Sequence, residues 1–452
     1  MEGAAGPGRA ALRREIGFAG LLAFSVGINI GAGLFVLVNV AAELTGPSMM
    51  VAVVLAAIPA MVALVPYTVL ARGYPTTSAT YRYAQLASPR LAQMLVATVI
   101  ATILIGGLPL FARAAGDYLS EVVPIAPVAI GLVALALFAA VNGWGVKPTV
   151  VVQVVLIAAL IGALVLYVAL GAGAVDSANL TPFLDGGAPG LLVASGILFA
   201  LMAGGLFVVD VGDEVIDPRR IFGTVLPLGM VVVLALYVGI FIVTAGAVPA
   251  ERLEDETLVV AAEEFMGTAP FAIFVVGGAL VAAVTTLNIT FTLVSRAMLA
   301  VSRDGMLPRA FARLAPRTGT PVVALGAAWA AGSAVFLVDL PTQYLGTVLN
   351  IGLVLAISGV ALAGLSLPER HPEIFAAGRG RIGPRLMRAA SRAVLAMNAF
   401  ILVLLLAGTP AAGMTVVAIA AAMLVASRGP RGPQPAPGRG LERTEAPPEP
   451  VA

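Results

Sequence analysis

Two hydrophobic stretches of this chain are interrupted by small residues, and each interruption would expose main-chain polar groups inside a membrane. The first runs from Gly27 to Phe35 and the second from Phe199 to Leu206, with four hydrophobic segments between them. Lipid cannot satisfy the N–H and C=O groups that a broken helix frees, so each break should face a cavity or a ligand. Breaks at corresponding positions of two halves indicate the binding site of a secondary transporter.

The first break offers both signs of main-chain partial charge. The half-helix that starts near Gly33 presents free N–H groups, which suit a carboxylate. The half-helix before it ends with carbonyls near Ile28–Ile30, which suit an ammonium group or a cation. A zwitterionic amino acid fits both ends without a charged side chain, whereas a plain helix-packing contact is the alternative interpretation. The residues of this first break are Asn29, Ile30, Gly31, Ala32 and Gly33.

The second break is predicted at Ala203, Gly204 and Gly205. Phe199 precedes it and is a candidate for an apolar wall or lid of the site. The alternative for Phe199 is ordinary packing against lipid or against other helices.

Two further features suggest a coupling ion. Asp210 lies in the inner half of the second broken segment, where an ionisable residue is a functional candidate. Its alternative is a solvated acid that pairs with arginines of neighbouring loops. Thr285 and Thr286 are candidate oxygen ligands for a small cation beside the carbonyls of the first break, or else they bond to their own helix.

Composition predicts a polytopic membrane protein. The chain has 452 residues, is 60% hydrophobic and 11% charged, and has a mean hydropathy of +1.02, whereas a soluble domain is about half apolar and a quarter charged. It contains no cysteine, which excludes disulfides and thiol chemistry, and its single histidine, His371, falls in a polar loop. No cluster of His, Asp or Ser–Lys falls in the hydrophobic segments, so no enzyme, metal site or cofactor is predicted, and no nucleic acid partner. A channel or a receptor without transport is an alternative class.

Twelve apolar windows are long enough to cross a bilayer. They cover roughly residues 16–43, 48–71, 91–122, 125–141, 147–171, 190–215, 221–248, 269–301, 321–340, 343–367, 388–408 and 411–427, and we call them spans 1 to 12.

The lysines and arginines outside the spans predict the orientation, because such residues favour cytoplasmic loops. With twelve spans the clusters around Arg13, Arg219, Arg309 and Arg381 all fall on one side, and acidic loops fall on the other. We therefore predict a cell-membrane protein with both termini cytoplasmic, residues 1–15 forming the N-terminal segment and residues 428–452 a disordered tail. The polar segment 76–88 is predicted to form a short helix lying at the inner membrane face.

Four stretches resemble motifs of the amino acid–polyamine–organocation superfamily of permeases. Gly27–Phe35 resembles the glycine-rich break of helix 1, and Gly73–Tyr81 the loop after helix 2. Gly212–Arg220 resembles the acidic end of helix 6 with its Pro-Arg. Ser295–Pro308 resembles the Ser-Arg and Arg-Asp-Gly-x-Leu-Pro end of helix 8, which is the most specific of the four.

The resemblance implies a helical membrane fold with a 5+5 inverted repeat, called LeuT-like. The first repeat would cover residues 16–171 and the second 190–367, with two added helices at 388–427. It implies alternating access around a site of helices 1, 3, 6, 8 and 10. Carried over by position, ligand contacts would come from the five residues of the first break and from Ala200, Ala203, Gly204, Gly205 and Thr290.

Departures from the family pattern bear on the substrate. Ala32 replaces a residue that is usually Ser or Thr, and Leu206 is apolar where family members that carry cations often place an acid. A neutral amino acid is therefore the favoured substrate, and an amine, a polyamine or another organic cation is the alternative. The driving ion would be Na⁺ or H⁺, or the protein would be an exchanger; the sequence predicts no oligomeric state.

Overall fold

The computed structural model describes residues 14–120, 123–248 and 258–426. Within these ranges the chain consists of helices and short connections, and its extended pairing is limited to two isolated bridges. The predictions made for residues 1–13, for the acidic loop at 251–256 and for the tail at 428–452 concern segments outside the described residues.

Eighteen α-helices are numbered here in chain order. They are α1 (Phe18–Asn29), α2 (Ala32–Thr45), α3 (Met49–Gly73), α4 (Ala79–Ala87), α5 (Pro89–Thr102), α6 (Leu108–Ser120), α7 (Pro127–Gly143), α8 (Val146–Gly171), α9 (Gly187–Ala203), α10 (Pro218–Ala247), α11 (Leu258–Glu263), α12 (Thr268–Phe274), α13 (Val281–Arg303), α14 (Val322–Phe336), α15 (Thr342–Arg370), α16 (Pro372–Gly378), α17 (Pro384–Gly408) and α18 (Pro410–Ala426). Two π-helical segments, Ile103–Gly107 and Val275–Leu280, join α5 to α6 and α12 to α13.

The helices account for the apolar composition. Among the described residues, nine helical stretches are long and apolar enough to cross a membrane, and three shorter apolar helices lie at Pro127–Gly143, Val322–Phe336 and Pro410–Ala422. Each of the twelve spans contains one of these helices. The helix α14, with 15 residues, is about 22 Å long at 1.5 Å per residue, less than a hydrocarbon core of about 30 Å. A multi-pass membrane protein follows, while the count of twelve crossings stays a prediction.

The outer surface of the bundle is apolar. Val133 on α7, Val155 on α8, Val403 on α17 and Val417 on α18 are each more than 60% exposed. A surface of this kind is unfavourable in water but suits lipid, because hydrocarbon tails are as apolar as the side chains. The partner of this surface is therefore the lipid bilayer.

Span 1 and span 6 lie at the centre of the bundle. α2 packs against α9, and α1 packs against α10, α13 and the 3-10 helix Gly204–Asp210 that continues span 6. Ile30, Phe199 and Leu206 belong to one large buried cluster. The two interrupted segments thus touch each other along their length instead of facing lipid.

The short helix predicted within residues 76–88 forms as α4, but its position differs from the prediction. It packs against α5 and α15, and Tyr81 and Tyr83 are 3% and 0% exposed. The apolar face of this helix is covered by protein, whereas the prediction placed it on the membrane surface. The amphipathic pattern is the same in both situations, because it specifies an apolar face and not what covers that face.

Polar contacts tie the arginine-rich end of the bundle together. Arg296 of α13 forms a buried ion pair with Glu214 at the end of span 6, with Nε–Oε1 at 2.8 Å, and the two side chains are 2% and 0% exposed. The Glu214 carbonyl accepts hydrogen bonds from the N–H groups of Glu15 and Ile16 at the start of span 1. This pair joins two of the four motifs that resemble the permease superfamily, so both contribute to closing one end of the bundle.

A second ion pair anchors α4 to the end of α13. Arg82 pairs with Asp304 at 2.6 Å, and the Tyr81 hydroxyl donates to the same carboxylate at 2.8 Å. Burial, and then the neighbouring Asp304 charge, raise the pKa of Tyr81. The phenol therefore stays neutral and keeps its proton for this hydrogen bond.

Breaking the buried pair should destabilise the protein strongly. The change Arg296→Met leaves Glu214 as an uncompensated buried charge, at a cost of about 3–5 kcal/mol, and should lower the apparent Tm of the purified protein in detergent. The double change Arg296→Met with Glu214→Leu should recover much of that loss, because no charge then stays buried.

The matched control is the exposed pair Arg388–Glu369, whose side chains are 34% and 69% exposed. Arg388→Met should change stability by about 1 kcal/mol or less. A Tm for Arg296→Met equal to that of the control would contradict the role assigned to the buried pair.

Candidate functional site

The first break lies where the sequence predicts it. α1 ends at Asn29, Ile30 leaves helical geometry with φ −89° and ψ 78°, and Gly31 is extended with φ −107° and ψ −173° before α2 begins. Gly31 has no side chain to cap the helix that follows, so the first N–H groups of α2 receive no side-chain hydrogen bond at this position. A half-helix N-terminus of this kind attracts anions.

The second break takes a different form from the first. α9 ends at Ala203, and the chain continues as a 3-10 helix through Gly204–Asp210. The prediction of an interruption at Ala203–Gly205 thus corresponds to a change of helix type, in which the chain keeps winding but more tightly. A 3-10 helix has poorer hydrogen-bond geometry than an α-helix, and long runs of it mark strain or a functional hinge.

A hydrogen bond joins the two breaks directly. The Gly205 N–H donates to Asn29 Oδ1 at 2.7 Å, and Asn29 Nδ2 donates to the Ser25 carbonyl at 3.3 Å. Asn29 is 2% exposed. The sequence predicted Asn29 as a substrate contact, and in this structure its amide satisfies a main-chain group of the opposite break.

Side chains of spans 7 and 8 cover carbonyls at the end of α1. The Tyr237 hydroxyl donates to the Asn29 carbonyl at 2.6 Å. Thr286 Oγ1 lies 3.3 Å from the Gly27 carbonyl and 3.0 Å from the Ala282 carbonyl of its own helix, and its single proton can serve one of them at a time. All of these partners are uncharged, so the centre of the site is polar but neutral.

Glycine is required at the closest contacts between spans 1, 6 and 8. A Cβ on Gly204 would lie 2.8 Å from the Ile28 carbonyl oxygen, and a Cβ on Gly31 would lie 2.6 Å from Thr286 Oγ1. A Cβ on Gly205 would collide with Asn29 Nδ2. Any larger residue at these positions must push the segments apart.

The remaining predicted residues occupy different surroundings. Phe199 and Ala203 are buried, Ala200 is half-buried, and Gly33 faces the end of the Leu201 side chain. Thr285 donates to the Ala282 carbonyl and Thr290 to the Thr286 carbonyl, both within α13. Asp210 lies at the far end of the 3-10 helix, away from the breaks. Of the three ion-coupling candidates, the structure brings Thr286 alone to the first break.

A family model described as "Amino acid permease" matches residues 16–434.

The chain belongs to the amino acid permease family.

Several characterised relatives cover most of this permease. It is 27% identical to the methylthioribose transporter of Bacillus subtilis, over 81% of this chain and 84% of the relative. It is 25% identical to the branched-chain amino acid permease BcaP of the same species, over 82% and 84%. It is 27% identical to the vacuolar cationic amino acid transporter 4 of Arabidopsis thaliana, over 80% and 64%. The superfamily resemblance is thereby confirmed, and the relatives are transporters and not enzymes.

The sequence interpretation missed a buried polar network behind the first break of the permease. Asn142 of α7 donates to Asn288 Oδ1 at 2.9 Å, and Asn288 donates to Gln153 Oε1 of α8 at 2.9 Å. Gln153 Nε2 is buried beside Gly27 and has no hydrogen-bond partner among the described residues. Isolated amides within apolar spans were a visible signal for this network, since such residues are costly in lipid and usually find partners.

The contact between the two breaks can be tested through stability. Gly205→Ala places a methyl group against Asn29 and Ser25, so the permease should lose about 1–3 kcal/mol through overpacking, and its apparent Tm should fall. Gly196→Ala on the same span is the matched control, because its Cβ would meet the flexible end of Leu404. Equal Tm values for the two variants would contradict the packing described here.

Proposed function

We propose that this permease carries neutral amino acids across the cell membrane by alternating access, with its solute held between the breaks of spans 1 and 6. The observation that carries this proposal is the uncapped start of α2 at Gly31. It offers main-chain N–H groups to a carboxylate, and the adjoining end of α1 offers carbonyls to an ammonium group. Ala32 and Gly33 follow on α2 and are proposed contacts through their main-chain N–H groups.

The charge of the surroundings supports a neutral solute. Asn29, Thr286 and Tyr237 contribute the polar side chains at the breaks, and none of them carries a charge at neutral pH. A zwitterion satisfies opposite partial charges at little net cost, whereas a cationic solute would need a carboxylate nearby. Leu206 is buried and apolar at the position where such an acid would be expected.

The characterised relatives agree in part. One is named for branched-chain amino acids, one for cationic amino acids and one for methylthioribose. All three names denote small polar solutes, and these solutes differ in charge. The neutral partners of the breaks favour the branched-chain type, and an amine or cation permease is the competing candidate.

Alternating access requires two halves that move relative to each other, and several features support the 5+5 repeat. Span 1 packs against span 6, span 2 against span 7, span 3 against span 8 and span 4 against span 9. Spans 3 and 8 also each contain a π-helical segment with a Gly-Gly pair, at Gly106–Gly107 and Gly277–Gly278. Paired irregularities in corresponding spans of the two halves are what an inverted repeat would produce.

The orientation is proposed from the distribution of charge. The loops that carry Arg219, Arg309 and Arg381 would face the cytoplasm, together with both termini. The end closed by Arg296 and Glu214 would then be the cytoplasmic end of the transport path.

Substitution of the break glycines tests the site. In proteoliposomes we expect saturable uptake of radiolabelled leucine by the unmodified permease. Gly31→Val and Gly204→Val should each reduce that uptake by about tenfold or more, because each substitution introduces a clash of about 1–3 kcal/mol at the binding site. Gly162→Val is the matched control, since a Cβ at that position meets nothing within 4 Å.

Size-exclusion profiles must first show that the variants insert and remain monodisperse. Normal uptake by both break variants would contradict the site. Competition by arginine or putrescine, and not by alanine, would favour the cation permease instead.

A further inference from the structure

Asp210 is a buried acid without a cation. Its side chain is 9% exposed, and no lysine, arginine or histidine pairs with it in the described part of the chain. Its Oδ1 accepts the Thr80 N–H at 2.6 Å, and its carbonyl accepts the Ser78 N–H at 2.8 Å. The nearby acids Glu214 and Asp304 are both neutralised by arginines, and Asp213 is partly exposed, whereas Asp210 is buried without a cation.

Buried hydroxyl groups lie near this carboxyl group. The hydroxyls of Tyr67, Thr80 and Tyr83 are buried and lack a partner at hydrogen-bond geometry among the described residues. The Thr80 hydroxyl lies near both the Asp210 carboxyl group and the Tyr67 hydroxyl. Buried polar groups without partners are rare, and each one needs an explanation.

A small cavity opens at this cluster. Its volume is about 30 Å³, enough for roughly one water molecule. Its polar lining comes from Ser78, Thr80, Tyr81 and Asp210, and its other walls are apolar side chains of α4, α5, α13, α15 and the 3-10 helix. A water molecule in this cavity could carry a proton to the carboxyl group.

The surroundings favour a proton over a metal cation as the ligand. An ionised carboxylate among apolar walls costs far more free energy than the neutral acid. A hard cation needs about six oxygen ligands, whereas most of the cavity wall is hydrocarbon. A single proton on Oδ2 removes the charge, while Oδ1 keeps its hydrogen bond from Thr80.

The other charged groups near Asp210 are already engaged. Asp213, on the same segment, accepts the Thr77 N–H at 2.9 Å and is partly exposed. Glu214 pairs with Arg296 of α13, and Asp304 pairs with Arg82 of α4. On the remaining sides the cluster meets the neutral phenols of α3 and α4 and the apolar residues of α5 and α15.

Asp210 is linked mechanically to the break. It is the last residue of the 3-10 helix that begins at Gly204, about 12 Å away at 2.0 Å per residue. Phe207, midway along that helix, lines the cavity and contacts the Tyr67 ring. A change at Asp210 therefore acts on the same seven-residue segment that faces the first break.

On the basis of the transport function proposed above, we propose that Asp210 is the proton-binding site that couples transport to a proton gradient. The proton bonds to Oδ2 while the arginine-rich end of the path is closed, and it returns to water when that end opens and hydrates the cavity. The exchange is between water and the carboxyl group, and nothing is oxidised or reduced.

Infrared difference spectroscopy of the purified full-length protein tests proton binding without any solute. A pH titration should reveal the C=O stretch of a buried protonated carboxyl group, and Asp210→Asn should remove that band. The asparagine keeps an acceptor for Thr80, so the fold should persist. Asp213→Asn is the matched control, which should keep the band. The proposal is wrong if the unmodified protein shows no such band, or if the band persists in Asp210→Asn.

Proteoliposomes test the coupling, with leucine as the probe. A gradient of one pH unit, acidic outside, should raise leucine accumulation up to about tenfold for one proton per solute. Asp210→Asn should lose this stimulation and keep leucine exchange at zero gradient, whereas Asp213→Asn should retain the stimulation. Stimulation that survives Asp210→Asn overturns the coupling role. If the unmodified permease shows no saturable leucine uptake, the proposed function is contradicted. The infrared band still tests whether Asp210 binds a proton, independently of transport.

Discussion

The structure depends on how a broken backbone is satisfied where lipid offers no hydrogen bonds. At Ile30 and Gly31 span 1 loses its helical pairing, and the neighbouring spans supply the partners. The Asn29 amide accepts from the Gly205 N–H, and Tyr237 donates to the Asn29 carbonyl. Each unsatisfied group would cost several kcal/mol in hydrocarbon, so these contacts determine how closely spans 1, 6 and 7 approach each other.

The centre and the arginine-rich end of the bundle are closed by different forces. Neutral hydrogen bonds and glycine contacts close the centre, whereas two ion pairs, Arg296–Glu214 and Arg82–Asp304, close the end. Neutral contacts are individually weak and can be exchanged for those of a solute. A buried ion pair that is separated must be rehydrated on both sides. Opening that end therefore depends on water entering it, which is the event that would also reach Asp210.

The sequence predicted those features that depend only on which residue types occur along one segment of the chain. The helical membrane architecture and the break at Gly31 follow from apolar windows and small residues, and the structure has both. The sequence did not predict that span 6 continues as a 3-10 helix, because two glycines are compatible with several backbone conformations and the contact with Asn29 selects one of them. The burial of α4 and the amide network of Asn142 were also missed, because they depend on which helices become neighbours in the fold.

The placement of charge limits how an ion could influence the solute. The partners at the breaks are neutral, and the buried unpaired acid lies at the other end of the 3-10 helix, at Asp210. The path from Gly204 to Asp210 is about 12 Å along the 3-10 helix, too long for a direct hydrogen bond between a solute at the breaks and that acid, so coupling would pass through the position of the segment between them. A 3-10 helix suits this role, since its strained hydrogen bonds can convert to α-helical ones at small cost. Such a conversion would shift Gly205 relative to Asn29 and so alter the contact that joins the two breaks.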